Sequence, residues 1–432
     1  MSNSYQSWGK VFYPNHTVLQ PYFLPSNQGI LSGDTYLAYG NGRSYGDVCF
    51  NNGHHLIDTR HLDRYIEFDS ENHLITCQAG IQLSVLLTFL TQHNYFVPVS
   101  PGTANVTLGG MIANDVHGKN HHKVASFGNH VVSMTLLRSD DGIVKCSKEQ
   151  NADLFYATIG GMGLTGLILD ATIAIKPVTS RLINVENFQT HSLAECLALF
   201  DDSDEAYEYT VAWLDMYGRS PAQTPGVFSR GNHATQQDSQ LCRIKRRKVP
   251  PFVPGWLLNK TTSSLFNKLY YRVQRSGINT VCYHDFFYPL DKLDNWNTFY
   301  GKKGFFQYQF VVPYAHFESV YTELTSLMSR YKQFCYLAVL KKFGTIPSEG
   351  MMSFSRQGYT LAMDFPNKGP STLAMFNAFD DIIMQANGAL YAAKDARMGS
   401  DIYQKAYPRI DEFTSWIDPK FHSDFWSRVC PK

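Results

Sequence analysis

Short apolar runs separated by turn residues fill the first 176 residues of the chain. Runs that are rich in β-branched and aromatic residues predict strands, and they lie at 33–40, 55–59, 73–80 and 94–100. Residues 81–93 repeat apolar positions at helical spacing and predict an amphipathic helix. Two further segments predict a hairpin around an Asp-Asp-Gly turn and a pair of strands, at 131–147 and 163–178.

After residue 176 the pattern changes to strands that alternate with helices. Strands are predicted where apolar residues alternate or run together, at 205–217, 305–313 and 359–366. Helices are predicted where apolar positions recur every three or four residues, at 317–331 and 371–388. The chain therefore divides into residues 1–176, 177–388 and a last segment at 389–432.

The composition narrows the classes of function. The net charge is +1, so the chain lacks the excess of basic residues that is typical of a nucleic-acid-binding protein. No run of about 18 apolar residues is present to span a bilayer, and the polar N-terminus lacks the form of a signal peptide. The eight cysteines are scattered without a CxxC pair, which favours reduced thiols. We therefore expect a cytoplasmic protein that binds no nucleic acid.

Three glycine-rich runs lie at 38–47, 101–110 and 159–166. Glycine accepts positive φ and lets backbone N–H groups point at an anion, so such loops can hold phosphates. An Asn-Asn-Gly turn follows the first run where a Rossmann fingerprint would open a helix, and tight turns explain a single run equally well. In the second run Gly109 and Gly110 stand ahead of a short helical segment. Several such loops in one chain favour a long ligand with a central pyrophosphate, such as FAD.

The stretch HGKNHH, residues 117–122, concentrates three histidines and a lysine. His117 and His121 are four residues apart and could share a helix face and bind a metal. Gly118 and Asn120 disfavour that helix, and no carboxylate or thiolate is spaced to complete a shell of four ligands. We therefore expect no metal, and we interpret three histidines as polar residues around a buried loop: His121, His122 and His130.

Seven motifs together resemble a known family. They occur in the order GNGRSYGD, PGTANVTLGG, HGKNHH, SFGNH, GGMGLTG, FFQYQFVVP and YAAKDAR. From about residue 8 to the C-terminus the chain resembles the FAD-linked oxidases of the vanillyl-alcohol-oxidase type. The resemblance implies an α+β fold with a two-subdomain FAD-binding domain of the PCMH type. A substrate domain with an antiparallel sheet and flanking helices would follow, and the C-terminal segment would return to the FAD-binding domain.

The resemblance also implies which residues line the FAD. The glycine-rich runs point independently to many of these positions, whereas Ile168 and Tyr391 enter by resemblance alone. The implied positions are Ala38, Tyr39, Gly40, Asn41, Gly42, Arg43, Ser44, Tyr45, Gly46, Asp47, Val48, Gly102, Thr107, Leu108, Gly109, Gly110, Asn114, Asp115, Val116, His117, Ile168 and Tyr391.

Flavin-dependent alcohol oxidation needs a positive group beside the ring and a base for the hydroxyl proton. The resemblance implies that Lys394 supplies the charge, and His117 is the first choice for the base. It places further residues in the substrate pocket: Lys119, Gln309, Lys341 and Trp213. Trp213 suits a stacking wall and a core position equally well.

Three positions depart from the family pattern. Many relatives have Gly-His-Ser in the first glycine loop, and that histidine bonds covalently to the flavin. This chain has Arg43 there, and a guanidinium cannot form such a bond. We therefore expect non-covalent FAD, with Arg43 paired with the pyrophosphate or a nearby carboxylate. Ala362 replaces a cysteine and Phe287 replaces a tyrosine, which makes the pocket more apolar.

The expected activity is oxidation of a sugar secondary alcohol, the 2′-hydroxyl of a polyprenylphosphoryl pentose, by hydride transfer to flavin N5. A separate NAD(P)H-dependent short-chain reductase would complete the epimerisation. The alternatives are an aldonolactone or alditol oxidase of the same fold and a non-catalytic flavin-binding paralogue. Basic and aromatic residues in 244–256 predict a peripheral contact with the inner face of a membrane, and a solvated loop is the alternative.

Overall fold

The structure, a computed structural model, describes residues 5–216, 220–236, 242, 247–248, 260–274 and 276–431. The segment 244–256, for which a membrane contact is predicted, lies outside the described residues except for Arg247 and Lys248. Within the described ranges, no helix is both long enough and apolar enough to cross a membrane.

A small parallel sheet begins the fold. The strand β3 (His55–Asp58) lies between β1 (Thr17–Leu19) and β2 (Tyr36–Tyr39) and pairs with both. The first glycine-rich run leaves the end of β2 and finishes in a single 3₁₀ turn at Asp47–Cys49. No α-helix follows this loop, as the Asn-Asn-Gly turn predicts, and β2 and β3 confirm the two predicted strands.

An antiparallel sheet of five strands follows, in the order β4-β5-β9-β7-β8. Its strands are β4 (Tyr65–Asp69), β5 (Leu74–Gln78), β7 (Val131–Arg138), β8 (Gly142–Ser147) and β9 (Leu167–Ala174). The predicted hairpin is confirmed as β7 and β8. The pair of strands predicted over 163–178 is wrong in its pairing. Here β9 is followed by β10 (Lys176–Pro177), which pairs with β6 (Tyr95–Phe96) instead of with β9.

Four helices accompany this sheet: α1 (Leu83–Gln92), α2 (Leu108–Ala113), α3 (His121–Val124) and α4 (Ala152–Thr158). The leucines of α1 are buried at helical spacing, which confirms the predicted amphipathic helix. Gly109 and Gly110 lie inside α2, so the expectation that they stand ahead of a helix is wrong. Glycine stands inside this helix because its backbone lies close to Ala79, where Gly109 N donates to Ala79 O at 2.7 Å.

The second half of the chain forms an antiparallel sheet of eight strands, in the order β15-β11-β13-β12-β18-β19-β17-β20. These strands are β11 (Leu182–Thr190), β12 (Tyr209–Leu214), β13 (Gly226–His233), β15 (Gly277–Cys282), β17 (Phe305–Val312), β18 (Leu337–Phe343), β19 (Gly358–Pro366) and β20 (Ala389–Leu390). Two short strands pair separately in parallel, namely β14 (Arg247–Lys248) and β16 (Leu293–Asp294). The strands predicted at 205–217, 305–313 and 359–366 are confirmed.

One face of the large sheet packs against helices α5 (Leu193–Ser203), α8 (Phe317–Arg330) and α9 (Pro370–Gln385). Successive side chains of a strand point to opposite faces. In β17, Tyr308 therefore packs on Phe376 and Phe379 of α9, with ring centroids 5.1 and 5.3 Å apart. The neighbouring Gln307 and Gln309 face the other way, into a cavity. The two predicted helices of this region are confirmed as α8 and α9.

Two further helices, α6 (Lys260–Val273) and α7 (Tyr283–Phe287), flank β11 and β15. The chain then ends in α10 (Ser400–Ala406), α11 (Ile410–Thr414) and α12 (Asp424–Val429). The described part of the chain therefore has the mixed architecture of the expected α+β class.

The last helices run back to the N-terminal sheet. His422 N donates to Tyr36 O at 2.9 Å. Arg428 of α12 forms ion pairs with Asp47 at 2.7 Å and with Asp395 at 2.9 Å. Both carboxylates are buried, and burial raises the pKa of Asp47 in spite of the guanidinium. Arg428 therefore joins the first glycine loop to the end of the chain.

We predict that Arg428→Met destabilises the protein by about 3 kcal/mol, because it leaves two buried carboxylates without their cation. The control is Arg409→Met, which removes an exposed pair with Glu412 and should cost at most about 1 kcal/mol. Equilibrium denaturation of both variants measures the difference. Equal losses in the two variants would contradict the role given to Arg428.

Candidate functional site

A cavity of about 1300 Å³ lies between the N-terminal loops and the large sheet. It exceeds the roughly 300–1,000 Å³ of ordinary ligand pockets, so a large cofactor and a substrate can share it. Its walls come from the three glycine-rich runs, from the sheet face opposite α8 and α9, and from residues 391–394.

The first glycine loop forms one wall. Gly42 adopts a φ of +59°, which favours glycine. The backbone N–H groups of Asn41, Gly42 and Arg43 donate to no residue that the structure describes, so they are available to an anion. The residues of this loop that line the cavity are Ala38, Gly40, Asn41, Gly42, Arg43, Ser44, Tyr45 and Val48.

Three residues that were expected at the FAD lie behind this wall. The Tyr39 hydroxyl donates to Gln6 O at 2.8 Å. Gly46 packs on the C-terminal segment, where an added Cβ would lie 1.8 Å from Asp395 O. Asp47 accepts from Arg428. These residues hold the loop in place and do not face the cavity.

The second run and the segment after α2 form the next wall. Leu108 is buried in the core, and Asp115 accepts from Ser126, Gly128 and Ser353 at 2.5–2.8 Å. Both were expected at the FAD and lie away from the cavity. The expected residues that do line this part of the cavity are Gly102, Thr107, Gly109, Gly110, Asn114, Val116, His117, Ile168 and Tyr391.

These walls fit a dinucleotide cofactor. A side-chain Cβ at Gly102 would meet no atom within 4 Å, so the backbone there is open to a ligand. Asn114 Oδ1 is buried and has no partner among the described residues, and a buried polar atom of this kind normally has one. The free amides of the first loop suit a pyrophosphate.

Arg43 lies on this wall. Its guanidinium stacks over the Trp8 ring at 4.1 Å, and Nε donates to Asn105 O at 3.2 Å. Burial has the largest effect on the Arg43 pKa and lowers it, while the charge of Asp291 raises it. Arg43 was expected to pair with the pyrophosphate or with a nearby carboxylate. No described carboxylate lies within ion-pair distance of it, so pairing with the pyrophosphate stays a prediction.

The large sheet contributes two adjoining zones. The polar zone comprises His117, Lys119, Gln309, Lys341 and Lys394. The apolar zone comprises Val185, Val211, Trp213, Val227, Val281 and Val339. The register of the strands joins the zones, because Val339 pairs with Ala362 on one side and with Trp213 on the other. Ala362 in turn pairs with Gln309.

His117 is held in the polar zone by a hydrogen bond. Gln309 Nε2 donates to His117 Nε2 at 2.9 Å, so the proton of the neutral ring lies on Nδ1. Burial lowers the pKa of His117 well below its usual value, and the charges of Lys341, His121 and Lys394 lower it further. His117 is therefore a neutral imidazole.

Lys394 lies over the Tyr45 ring, with Nζ 3.9 Å from the centroid. Burial lowers its pKa to about 7, the charge of Asp364 raises it, and that of Lys341 lowers it. Asp364 is buried behind Gln307, which donates to it at 2.6 Å. Desolvation raises the Asp364 pKa to about 6. The pair thus supplies an ammonium group that titrates near neutral pH.

Two more lysines enter the same zone. Lys119 Nζ donates to Phe286 O and lies 4.1 Å from the ring of that residue, and burial lowers its pKa to about 7. Burial lowers the pKa of Lys341 to about 8. None of Lys119, Lys341 and Lys394 forms an ion pair with a described carboxylate.

Trp213 stands in the apolar zone. Its ring meets Tyr270 of α6 edge to face, with centroids 4.9 Å apart, and it lines the cavity. Trp213 therefore lies on the cavity wall, and its role as a stacking surface stays a prediction. Ala362 and Phe287, which depart from the family pattern, also line the cavity.

The remaining histidines of the HGKNHH region lie outside the cavity. His122 Nε2 contacts Tyr207 O at 3.0 Å, His130 Nε2 contacts Val124 O at 2.9 Å, and His121 Nδ1 accepts from Gly344 N. The helix α3 begins at His121, so His117 shares no helix face with it. The described residues contain no cluster of three or more potential metal ligands.

Several residues of the site were not predicted from the sequence. Trp8 gave no signal, because it is an isolated aromatic residue far from the glycine loops. Thr360 and Asp364 alternate with Ala362 on one strand, so the period of two could have placed them on the same face. Gln307 could have been found in the same way from Gln309.

Comparison with known proteins assigns the chain to a family. Residues 32–147 match the FAD binding domain family. Decaprenylphosphoryl-beta-D-ribose oxidase of Mycolicibacterium smegmatis is 37% identical over 393 residues, covering 88% of this chain and 84% of the relative. An uncharacterized protein in the mprA 5′ region of Streptomyces coelicolor is 28% identical over 372 residues, covering 81% and 100%. L-gulonolactone oxidase of Mus musculus is 28% identical over 184 residues, covering 40% of each chain.

The cofactor and the class of reaction follow. The matched FAD domain includes the first two glycine loops of the cavity, and two relatives are oxidases by name. The protein is an FAD-dependent oxidoreductase that acts on CH–OH groups of alcohol or lactone substrates. The chain belongs to the FAD-linked oxidase family of the vanillyl-alcohol-oxidase type.

Proposed function

We propose that the protein oxidises the 2′-hydroxyl of a polyprenylphosphoryl pentose, as the first half of an epimerisation. The observation that carries the proposal is the convergence of Lys119, Lys341 and Lys394 on one zone without ion-pair partners among the described carboxylates. Buried cations need a counter-charge, and a substrate phosphate supplies it. The relative that oxidises decaprenylphosphoryl-ribose, by its name, supports the same substrate class.

The two zones divide the substrate between them. Phosphate and sugar would lie in the polar zone, and the first apolar units of the lipid in the apolar zone. We also propose that residues 1–176 and 389–432 together bind FAD, while 177–388 bind the substrate. A separate NAD(P)H-dependent short-chain reductase would complete the epimerisation, and peripheral contact with a membrane would give access to the lipid.

Bound FAD would supply the hydride acceptor for the oxidation of the carbinol carbon. The protein must take the hydroxyl proton and balance the charge. His117 is neutral, as a base must be, and its Nε2 can accept a proton once the Gln309 amide has moved away. The Lys394 ammonium stabilises the negative charge that hydride transfer creates. Water is kept out by the aromatic residues beside His117, namely Phe343, Phe354 and Tyr391.

The alternatives differ in what reduces the flavin. In an aldonolactone or alditol oxidase, the free sugar derivative would reduce the flavin. In a non-catalytic paralogue, neither the free sugar derivative nor the polyprenylphosphoryl pentose would reduce it. The test is anaerobic reduction of the bound flavin, followed by absorbance, with a short-tailed polyprenylphosphoryl pentose, an aldonolactone and an alditol. Reduction by the phosphorylated pentose alone supports the proposal. Reduction by the free lactone or alditol alone would replace it with the first alternative.

The first prediction of this proposal concerns attachment of the cofactor. Because Arg43 stands where relatives have the flavin-linking histidine, the purified protein should be yellow and acid or heat should release all of its flavin. Fluorescence of the denatured polypeptide after electrophoresis measures what remains bound. Flavin that stays on the polypeptide would contradict non-covalent attachment.

The second prediction concerns Lys394. Lys394→Ala should keep its FAD and slow flavin reduction by about a hundredfold to a thousandfold, because one preorganised charge is lost. The control is Lys342→Ala, since Lys342 points to the far face of the sheet and pairs with Asp201 and Asp204. Stopped-flow absorbance compares the two variants. An equal effect of both would show that the loss is one of folding and not of charge.

The third prediction concerns pH. A lysine is charged below its pKa, so the rate of flavin reduction should fall as pH rises through about 7. Asp364, Lys341, His117 and Tyr45 surround the ammonium, and only the first raises its pKa. Asp364→Asn should therefore move the fall to lower pH, whereas Asp201→Asn on the far face should not. A pH–rate profile that is unchanged in Asp364→Asn would refute the coupling.

A further inference from the structure

The helix α6 has two faces of different character. Its inner face lies at the cavity, where Tyr270 packs on Trp213 and Gln274, just beyond the helix, joins the lining. Asn267 is buried on this face and donates to Asp215 Oδ1 at 2.9 Å. The hydrogen bond from Tyr271 OH to Thr190 O also ties α6 to the large sheet. The helix therefore stands with its inner face fixed at the rim of the cavity.

The outer face of α6 is apolar and exposed. Leu265, Leu269 and Val273 follow one another at intervals of four residues, so they form one stripe along the helix. Their side chains are 67%, 59% and 66% exposed. We call these three residues the α6 stripe. A contiguous patch of this kind marks a contact surface, whereas single exposed apolar residues do not.

The charged residues of α6 itself are all positive. Lys268 and Arg272 are exposed and lie one helical turn apart, on one side of the stripe. Neither α6 nor β15 contains an aspartate or a glutamate. An apolar stripe flanked by basic residues is the pattern of a helix that lies in the interface of an anionic lipid bilayer. Charge complementarity therefore favours a lipid surface as the partner.

The position of the stripe points to the same partner. Behind α6 the cavity continues into the apolar zone of valines around Trp213. A lipid tail that leaves a bilayer at the outer face of α6 thus finds apolar side chains at the rim and within. We propose that the α6 stripe docks the protein on an anionic membrane and admits the polyprenyl tail to the apolar zone. The docking stands by itself, and the admission of the tail rests on the proposed function.

The test replaces the stripe while keeping the helix. Leu265→Gln, Leu269→Gln and Val273→Gln together remove the apolar surface with a residue that favours helices. The control combines Ile66→Gln, Val85→Gln and Ile143→Gln, which lie far along the chain from α6 and are 51%, 49% and 47% exposed. None of these control residues lines the cavity. The FAD content of each holoenzyme shows that it has folded.

Binding is measured by cosedimentation with vesicles of equal parts phosphatidylcholine and phosphatidylglycerol. The wild type and the control should bind, and the stripe variant should bind about a hundredfold more weakly, because three apolar side chains no longer enter the bilayer. Lys268→Gln with Arg272→Gln should lose about fivefold for each charge. A wild type that does not bind, or a stripe variant that binds as well as the control, overturns the docking.

Two further measurements separate the outcomes. Light scattering in the absence of lipid tests whether the stripe instead joins two copies of the chain. A wild-type dimer that becomes a monomer in the stripe variant would overturn the proposal.

Flavin reduction by a short-tailed, water-soluble polyprenylphosphoryl pentose should be equal in wild type and stripe variant. Reduction by a long-tailed substrate in vesicles should be lost in the variant alone. Failure of the short-tailed substrate in every protein would refute the proposed function and leave the vesicle result unaffected.

Discussion

The pleat of three neighbouring strands, β17, β18 and β19, is the constraint on which the site depends. Because successive residues face opposite ways, the same strands must supply an aromatic face for the helices and a polar face for the cavity. The adjacent pair Lys341 and Lys342 shows the consequence. Lys342 pairs with Asp201 and Asp204 behind the sheet, while Lys341 enters the cavity without a counter-ion among the described residues. A shift of register by one residue would exchange the two and remove the cation from the site.

Burial of cations sets the chemistry of the polar zone. Desolvation lowers the pKa values of Lys119, Lys341 and Lys394, which destabilises their charged forms until an anion arrives. The same desolvation keeps His117 neutral. Without a ligand, the buried ammonium groups are destabilised by desolvation. A negatively charged ligand would offset this cost, and an uncharged ligand would not. Under the proposed function, this electrostatic cost would favour an anionic substrate over a neutral one.

The sequence allowed elements to be predicted where their apolar period is regular, as in β17, α8 and α9, whereas β11, β13, β18 and α5 of the same region were not predicted. It also pointed to the glycine loops, since a close backbone approach excludes other residues there. It failed where the determinant is a contact between distant segments. The pairing of β10 with β6 and the position of Asp364 behind Lys394 depend on sheet register that no local pattern encodes. The helix α6 was missed because its stripe is only three residues long and basic residues interrupt it.

The closure of the cavity by residues 391–394 has a consequence for the order of assembly in the cell. Tyr45 N donates to Ala393 O at 2.9 Å, and the Tyr391 hydroxyl donates to Asn114 O at 2.8 Å. These bonds join the first glycine loop and the segment after α2 to residues that are synthesised about 350 and 277 positions later, respectively. During translation the glycine loops therefore leave the ribosome long before residues 391–394 have been made. If FAD binds in this cavity as proposed, its capture would wait for the end of the chain, and a polypeptide truncated before residue 391 would have the loops without the closed cavity.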